Sequence, residues 1–102
     1  LLPVYIHHVA AYLPAQIISN DHFTRLNGLS HEWITERTGI RARRKAAPSE
    51  NTNTMAVEAT RRALAAAPAF AAGAIDLIVG ATYTPHDTIY TVAHAVQREL
   101  NV

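Results

Sequence analysis

Cysteine is absent from the 102 residues, which excludes disulfides, thiolate zinc sites and a cysteine nucleophile within this stretch of chain. An excess of charge of one sign is also missing. Nine Lys and Arg against eight Asp and Glu leave a net charge of +1, so no global field draws the protein to nucleic acid or to an anionic membrane. Electrostatic recognition then has to come from local clustering. No apolar run approaches the roughly 20 residues of a membrane span. Residues 1–12 have no basic leader and are interrupted by Pro3, His7 and His8, so they read neither as a secretory signal nor as an anchor. A soluble, cytoplasmic protein with no nucleic-acid and no membrane partner is expected. No internal repeat is visible, and the one biased tract is the alanine-rich 65–74.

What is present is a chain 49% hydrophobic and 17% charged, a balance that suits a folded globular class better than disorder. Its length allows one domain at most. Residues 4–13 mix β-branched, aromatic and aliphatic side chains between Pro3 and Pro14, as a strand would. Asn20 is placed to cap a short helix that stops at Asn27 and Gly28, and Ser30 to cap a second that stops at Gly39. From Ile40 to Asn53 the composition turns basic and then polar, with Pro48 and the stretch from Ser49 to Thr54 marking a loop before the next helix. The pattern predicts a long helix over 54–67, with Glu58 four residues before Arg62. Residues 75–82 form a nearly continuous apolar run, as expected of a parallel strand covered on both faces. Residues 83–88 read as a loop and 89–100 as an amphipathic helix. The order is α/β, and it is incomplete: so few strands leave open edges that further chain or another subunit has to cover.

The chemistry concentrates on the second short helix. Trp33 and Arg37 stand at i and i+4 and so share a face. An indole beside a guanidinium seats a flat heterocycle and an anionic group together. With Arg41, Arg43, Arg44 and Lys45, Arg37 places five of the nine basic residues within nine positions, an attractive surface for a phosphate-rich ligand. The plainer reading makes Trp33 a core anchor and the arginines a solvated face paired with Glu32, Glu36 and Glu50. The six histidines do not suggest a metal. His7 and His8 would face opposite ways on a strand, His86 and His94 lack the i, i+4 spacing of helical zinc ligands, and His22 and His31 stand apart. No metal site is expected.

Glu32-Trp33-Ile34 followed by Arg37-Thr38-Gly39-Ile40 resembles the signature near the N-terminus of β-ketoacyl-acyl-carrier-protein synthase III enzymes, condensing enzymes of the thiolase superfamily. Tyr12-Leu13-Pro14, Met55-Ala56, Ala63-Leu64 and Ile75-Asp76-Leu77-Ile78 fall in the matching order, so the resemblance spans essentially all of residues 1–102. It implies an α/β, N-terminal segment of the first thiolase-like domain, an incomplete sheet with covering helices. It also implies that Trp33 and Arg37 meet the adenine end of coenzyme A near a tunnel mouth, with Thr38 a further contact. The implied reaction is a decarboxylative Claisen condensation of an acyl-CoA with a malonyl thioester on acyl carrier protein, carried out by a homodimer with no permanently bound cofactor. The family's catalytic Cys, His and Asn lie beyond this sequence, so no catalytic residue is expected here and the isolated chain should be inert.

One departure concerns the acyl group. Residues 83–91 differ from the Phe-Pro-Ser type of the acetyl-priming enzymes, and Ile89 stands about where that Phe would be. In the family this side chain closes the partner subunit's acyl pocket; alternatively, Ile89 simply begins a helix and packs in the core. Two functional rivals follow. A ketide or quinolone condensing enzyme, or a transacylase, would keep the coenzyme A contact and change the acyl chain. A non-catalytic coenzyme A-binding or interaction module would use Trp33 and the basic run without chemistry.

Overall fold

The computed structural model describes residues 2–68 and 72–102. In chain order the elements are β1 (Gln16–Ser19), α1 (Asn20–Asn27), α2 (His31–Thr38), β2 (Ala42–Lys45), α3 (Thr52–Ala66), a 3-10 turn (Ala72–Ala74) and α4 (Val92–Leu100). They fall into two compact units: Leu13–Ser49, and Leu1–Tyr12 together with Glu50–Val102.

In the first unit, β1 and β2 pair antiparallel, with Gln16 opposite Lys45 and Ser19 opposite Ala42. Strand β2 lies in the stretch whose composition turns basic. This Ala-Arg-Arg-Lys strand is exposed throughout and carries no apolar alternation, so burial does not specify it. Arg44 Nη1 donates to the Pro14 carbonyl at 3.0 Å, and the Arg43 guanidinium lies 5.4 Å from the Phe23 ring centroid. These contacts fasten β2 beside the residues leading into β1. The two helices begin and end close to where their caps predict. Ser30 Oγ accepts the Trp33 N–H at 3.1 Å, and α2 ends where Gly39, at φ 72°, donates its N–H to the Thr35 carbonyl at 2.8 Å. That left-handed conformation suits a residue without a Cβ. The N-cap of α1 is Ser19 rather than Asn20; Asn20 is the first helical residue and is fully buried.

In the second unit α3 and α4 pack together around Val57, Ala95 and Val96, with Ala56, Ile78, Tyr90, Leu100 and Val102 against them. The start of α3 lies two residues before the predicted one. Asn51 accepts the Thr54 N–H at 3.0 Å while Thr54 Oγ1 accepts the Asn51 N–H at 2.9 Å, a reciprocal cap that satisfies two helix-end donors. Arg61 and Arg62 both bond Glu58 at 2.9 Å, holding its carboxyl below the usual range, Arg62 more than Arg61. At Gly80 a Cβ would stand 3.0 Å from the Ala93 nitrogen, so a larger residue there would require the first turn of α4 to give by a few tenths of an ångström.

The expected strands at 4–13 and 75–82 do not form ladders: among the described residues the only sheet is β1 with β2. Strand residues need backbone partners, and no described segment supplies them there. Ile75 and Ile78 are half-buried, while Leu77 and Val79 are exposed. The last helix begins at Val92, after Thr91 as its N-cap, rather than at 89; before it, the Asp87 carboxylate accepts the N–H groups of Ile89 and Tyr90 in a turn. Among the described residues no helix is long and apolar enough to cross a membrane.

Residues 11–12 are fastened to α3. Arg62 donates to the Ala11 carbonyl at 3.3 Å and lies 4.9 Å over the Tyr12 ring, and the Tyr12 hydroxyl donates to Glu50. That bond, with burial and the Glu50 charge, raises the phenol above its ordinary 10.0, against an opposing pull from Arg62. The folded state therefore holds this proton more tightly than the unfolded chain. The stabilisation is fully present below pH 10.0 and is lost as pH rises through the folded value. Melting temperatures recorded across alkaline pH should fall less steeply in Tyr12→Phe than in the native chain; identical slopes would contradict the Glu50 bond.

Candidate functional site: the exposed face of the second helix

Helix α2 is held by its inner side and presents its outer one. Ile34, 6% exposed, anchors it. One residue earlier, Trp33 keeps 44% of its surface open, and the Arg37 guanidinium lies 5.0 Å from its ring centroid. The i, i+4 spacing thus brings indole and guanidinium together on an accessible face, with geometry suited to a cation–π contact. Trp33 is not a core anchor. Thr38 is exposed, but its hydroxyl is engaged locally: it donates to the Ile34 carbonyl at 2.6 Å and accepts the Ile40 N–H at 3.1 Å. One lone pair is left for a ligand. Glu32, beside Trp33, is held below the usual carboxylate range by its own backbone N–H and then by the Ser30 hydroxyl, so it is anionic at neutral pH. Arg41, Arg43, Arg44 and Lys45 form an exposed basic run just beyond the helix.

The orientation of α2 is set from beneath by Asn20. Its amide nitrogen donates to the Ile40 carbonyl at 2.8 Å and lies 3.4 Å from Thr35 Oγ1 and 3.3 Å from His31 Nδ1. The carbonyl contact fixes which end of the amide is nitrogen. On the other side of the ring His31 Nε2 lies 3.4 Å from Thr35 Oγ1.

Ile89 lies in the other unit. It precedes α4 rather than starting it and is 87% exposed, so the reading of Ile89 as a core residue is wrong. Asp87 Oδ1 accepts the N–H of Ile89 at 2.8 Å and of Tyr90 at 3.0 Å.

Comparison with known proteins finds relatives over most of this chain. The chain is 49% identical over 92 residues to the β-ketoacyl-[acyl-carrier-protein] synthase III of Rhodospirillum centenum, covering 90% of this chain and 28% of that protein. It is 45% identical over 97 residues to the same enzyme of Neisseria meningitidis serogroup C, covering 95% of this chain and 30% of that protein. The crystal structure of the Thermus thermophilus synthase III matches with a TM-score of 0.84 at 34% identity, over 95% of this chain and 30% of that one. The chain belongs to the β-ketoacyl-[acyl-carrier-protein] synthase III family.

It spans about 30% of the length of the curated relatives it matches. Its fold is the α/β, thiolase-like one of those synthase III structures. The priming β-ketosynthase of the R1128 polyketide pathway also matches, with a TM-score of 0.71 at 34% identity, over 92% of this chain and 28% of that one. No protein-family model matches the chain.

Two residues that matter in this synthase III segment escaped sequence reasoning. Asn20 looks like an ordinary helix cap, and nothing local distinguishes a capping Asn from a buried bridging one. Asp87 reads as part of a loop, although an Asp two and three residues before a helix-start pattern is a recognisable turn signal. Asn20→Ala removes the 2.8 Å side-chain bond to the Ile40 carbonyl, leaving the longer one from Thr35 Oγ1 at 3.5 Å, and should cost about 2 kcal/mol. Urea unfolding measures it, and an unchanged midpoint would contradict the bridging role.

Proposed function

We propose that this chain is the nucleotide-seating N-terminal segment of a condensing enzyme that takes an acyl group from coenzyme A and extends it with a malonyl thioester on acyl carrier protein. The observation that carries the reading is the half-open Trp33 ring with Arg37 beside it, in a chain whose relatives bear the name synthase III. Trp33 offers a stacking surface to the adenine. Arg37 offers charge to a phosphate and can leave the indole face as a base arrives. Thr38 contributes a weaker contact through its remaining lone pair. The basic run from Arg41 to Lys45 suits an acidic carrier. The full-length protein works as a cytoplasmic homodimer with no permanently bound cofactor. Coenzyme A thioester is substrate.

In the proposed reaction a cysteine thiolate outside these residues attacks the acyl thioester and releases coenzyme A. Loss of CO2 from the malonyl thioester then generates the carbanion that attacks the acyl-enzyme carbonyl and expels the thiolate. This segment holds no cysteine. Its part is therefore to bind the donor, and alone it is inactive in condensation. Ile89 forms part of the acyl pocket wall. The similarity to a priming β-ketosynthase of a polyketide pathway supports a second reading, in which the same coenzyme A seat serves a different acyl starter.

Stacking of a base on an aromatic ring is worth about 1–3 kcal/mol, so Trp33→Ala in the full-length enzyme should raise KM for acyl-CoA about tenfold, with a similar loss for Arg37→Ala. The far-UV circular dichroism and melting temperature should stay near native. Kinetics and melting curves check this together, and parallel loss of folding and binding would reject the assignment.

A further inference from the structure

The turn before α4 is held by side chains. One oxygen of Asp87 accepts two successive backbone N–H groups, from Ile89 at 2.8 Å and Tyr90 at 3.0 Å. These bonds, Tyr90's the stronger in effect, hold the Asp87 carboxyl below its ordinary range, and charge-assisted bonds of this kind are the firmer sort. The next residue is anchored as well. Tyr90 packs on the Val57, Ala95 and Val96 core, its hydroxyl donates to the His94 carbonyl at 3.2 Å, and the Arg98 guanidinium lies 4.7 Å from its ring centroid. Two adjacent side chains thus point in opposite directions: Tyr90 is held inward, and Ile89 stands out with 87% of its surface open.

An exposed isoleucine is by itself ordinary. What sets this one apart is that its backbone N–H is bonded to a carboxylate two residues back and its neighbour is anchored in the core, so the side chain projects from a fixed base. We propose that Asp87 is a positioning residue for acyl-chain selection: it touches no substrate and acts by fixing where Ile89 stands in the acyl pocket wall. The proposal rests on the reading of Ile89 given under Proposed function. Asparagine offers the same oxygen at the same distance without the charge; alanine offers none; glutamate moves it by one methylene.

The test uses the full-length enzyme with acetyl-, butyryl-, hexanoyl- and octanoyl-CoA and a malonyl carrier. The readout is the ratio of kcat/KM for the longer to the shorter donors, which does not depend on the fraction of enzyme folded. Ile89→Ala should shift that ratio about tenfold towards longer chains, as expected when pocket volume changes by a few methylenes. Asp87→Ala should shift it about fivefold, Asp87→Asn should restore it to within about twofold of native, and Asp87→Glu should shift it in the direction of the alanine variant. The glutamate variant carries the test if the alanine variant does not fold. Because Asp87 acts through Ile89, adding Asp87→Ala to Ile89→Ala should change the ratio no further. An unshifted ratio in Ile89→Ala overturns the reading of Ile89 and the proposal with it. A shift in Ile89→Ala with none in Asp87→Ala and Asp87→Glu, or two shifts that simply add, overturns the role of Asp87 alone.

Discussion

The arrangement around α2 depends on one buried amide. Asn20 is fully enclosed, so its N–H groups need partners inside the protein, and an unsatisfied one would cost a few kcal/mol, about 1–3. The Ile40 carbonyl, Thr35 hydroxyl and His31 imidazole are within reach. These groups belong to the start, the body and the exit of α2, while Asn20 itself opens α1. A single side chain thus ties two eight-residue helices that are too short to persist by propensity alone. With the inner side fixed by Asn20 and Ile34, the 3.6-residue repeat leaves Trp33 and Arg37 facing out. The exposed indole and guanidinium are thus a consequence of what is buried beneath them.

The second unit uses the same device. Few of its side chains are fully buried, and its irregular stretches are set by side chains bonded to backbone. Asn51 and Thr54 start α3, Asp87 closes the turn before α4, and the Tyr12 and Arg62 contacts hold residues 11 and 12. Small residues do the close packing: Ala95 in the core and Gly80 against Ala93. This economy leaves much apolar surface open on 4–9 and 77–79, in a chain about 30% as long as its relatives.

The helices were legible because their signals are local. Ser30 and Gly39 mark α2 within a residue, and Gly28 marks the end of α1, since caps and left-handed stops act on the next few backbone groups. Trp33 with Arg37 was legible for the same reason, as i, i+4 spacing fixes a shared face. The β1–β2 ribbon was hidden, because a strand of Ala-Arg-Arg-Lys has no alternation and its pairing with Gln16–Ser19 is set by residues more than twenty positions away. The converse error arose at 4–13 and 75–82: apolar, β-branched composition describes what a strand prefers, but a ladder exists only where a partner lies alongside. Ile89 failed differently. The periodicity of 89–100 extends a helical pattern over it, whereas the helix begins only at Val92, after Thr91 as its N-cap.

The central claim is that Trp33 is the seat of a nucleotide. The most direct test is to titrate coenzyme A into the full-length protein while recording the fluorescence difference between the native protein and Trp33→Phe, with pantetheine, which lacks the nucleotide, as the comparison ligand. Saturable quenching by coenzyme A and none by pantetheine is the predicted result. Equal responses to the two ligands, or none to either, would contradict it.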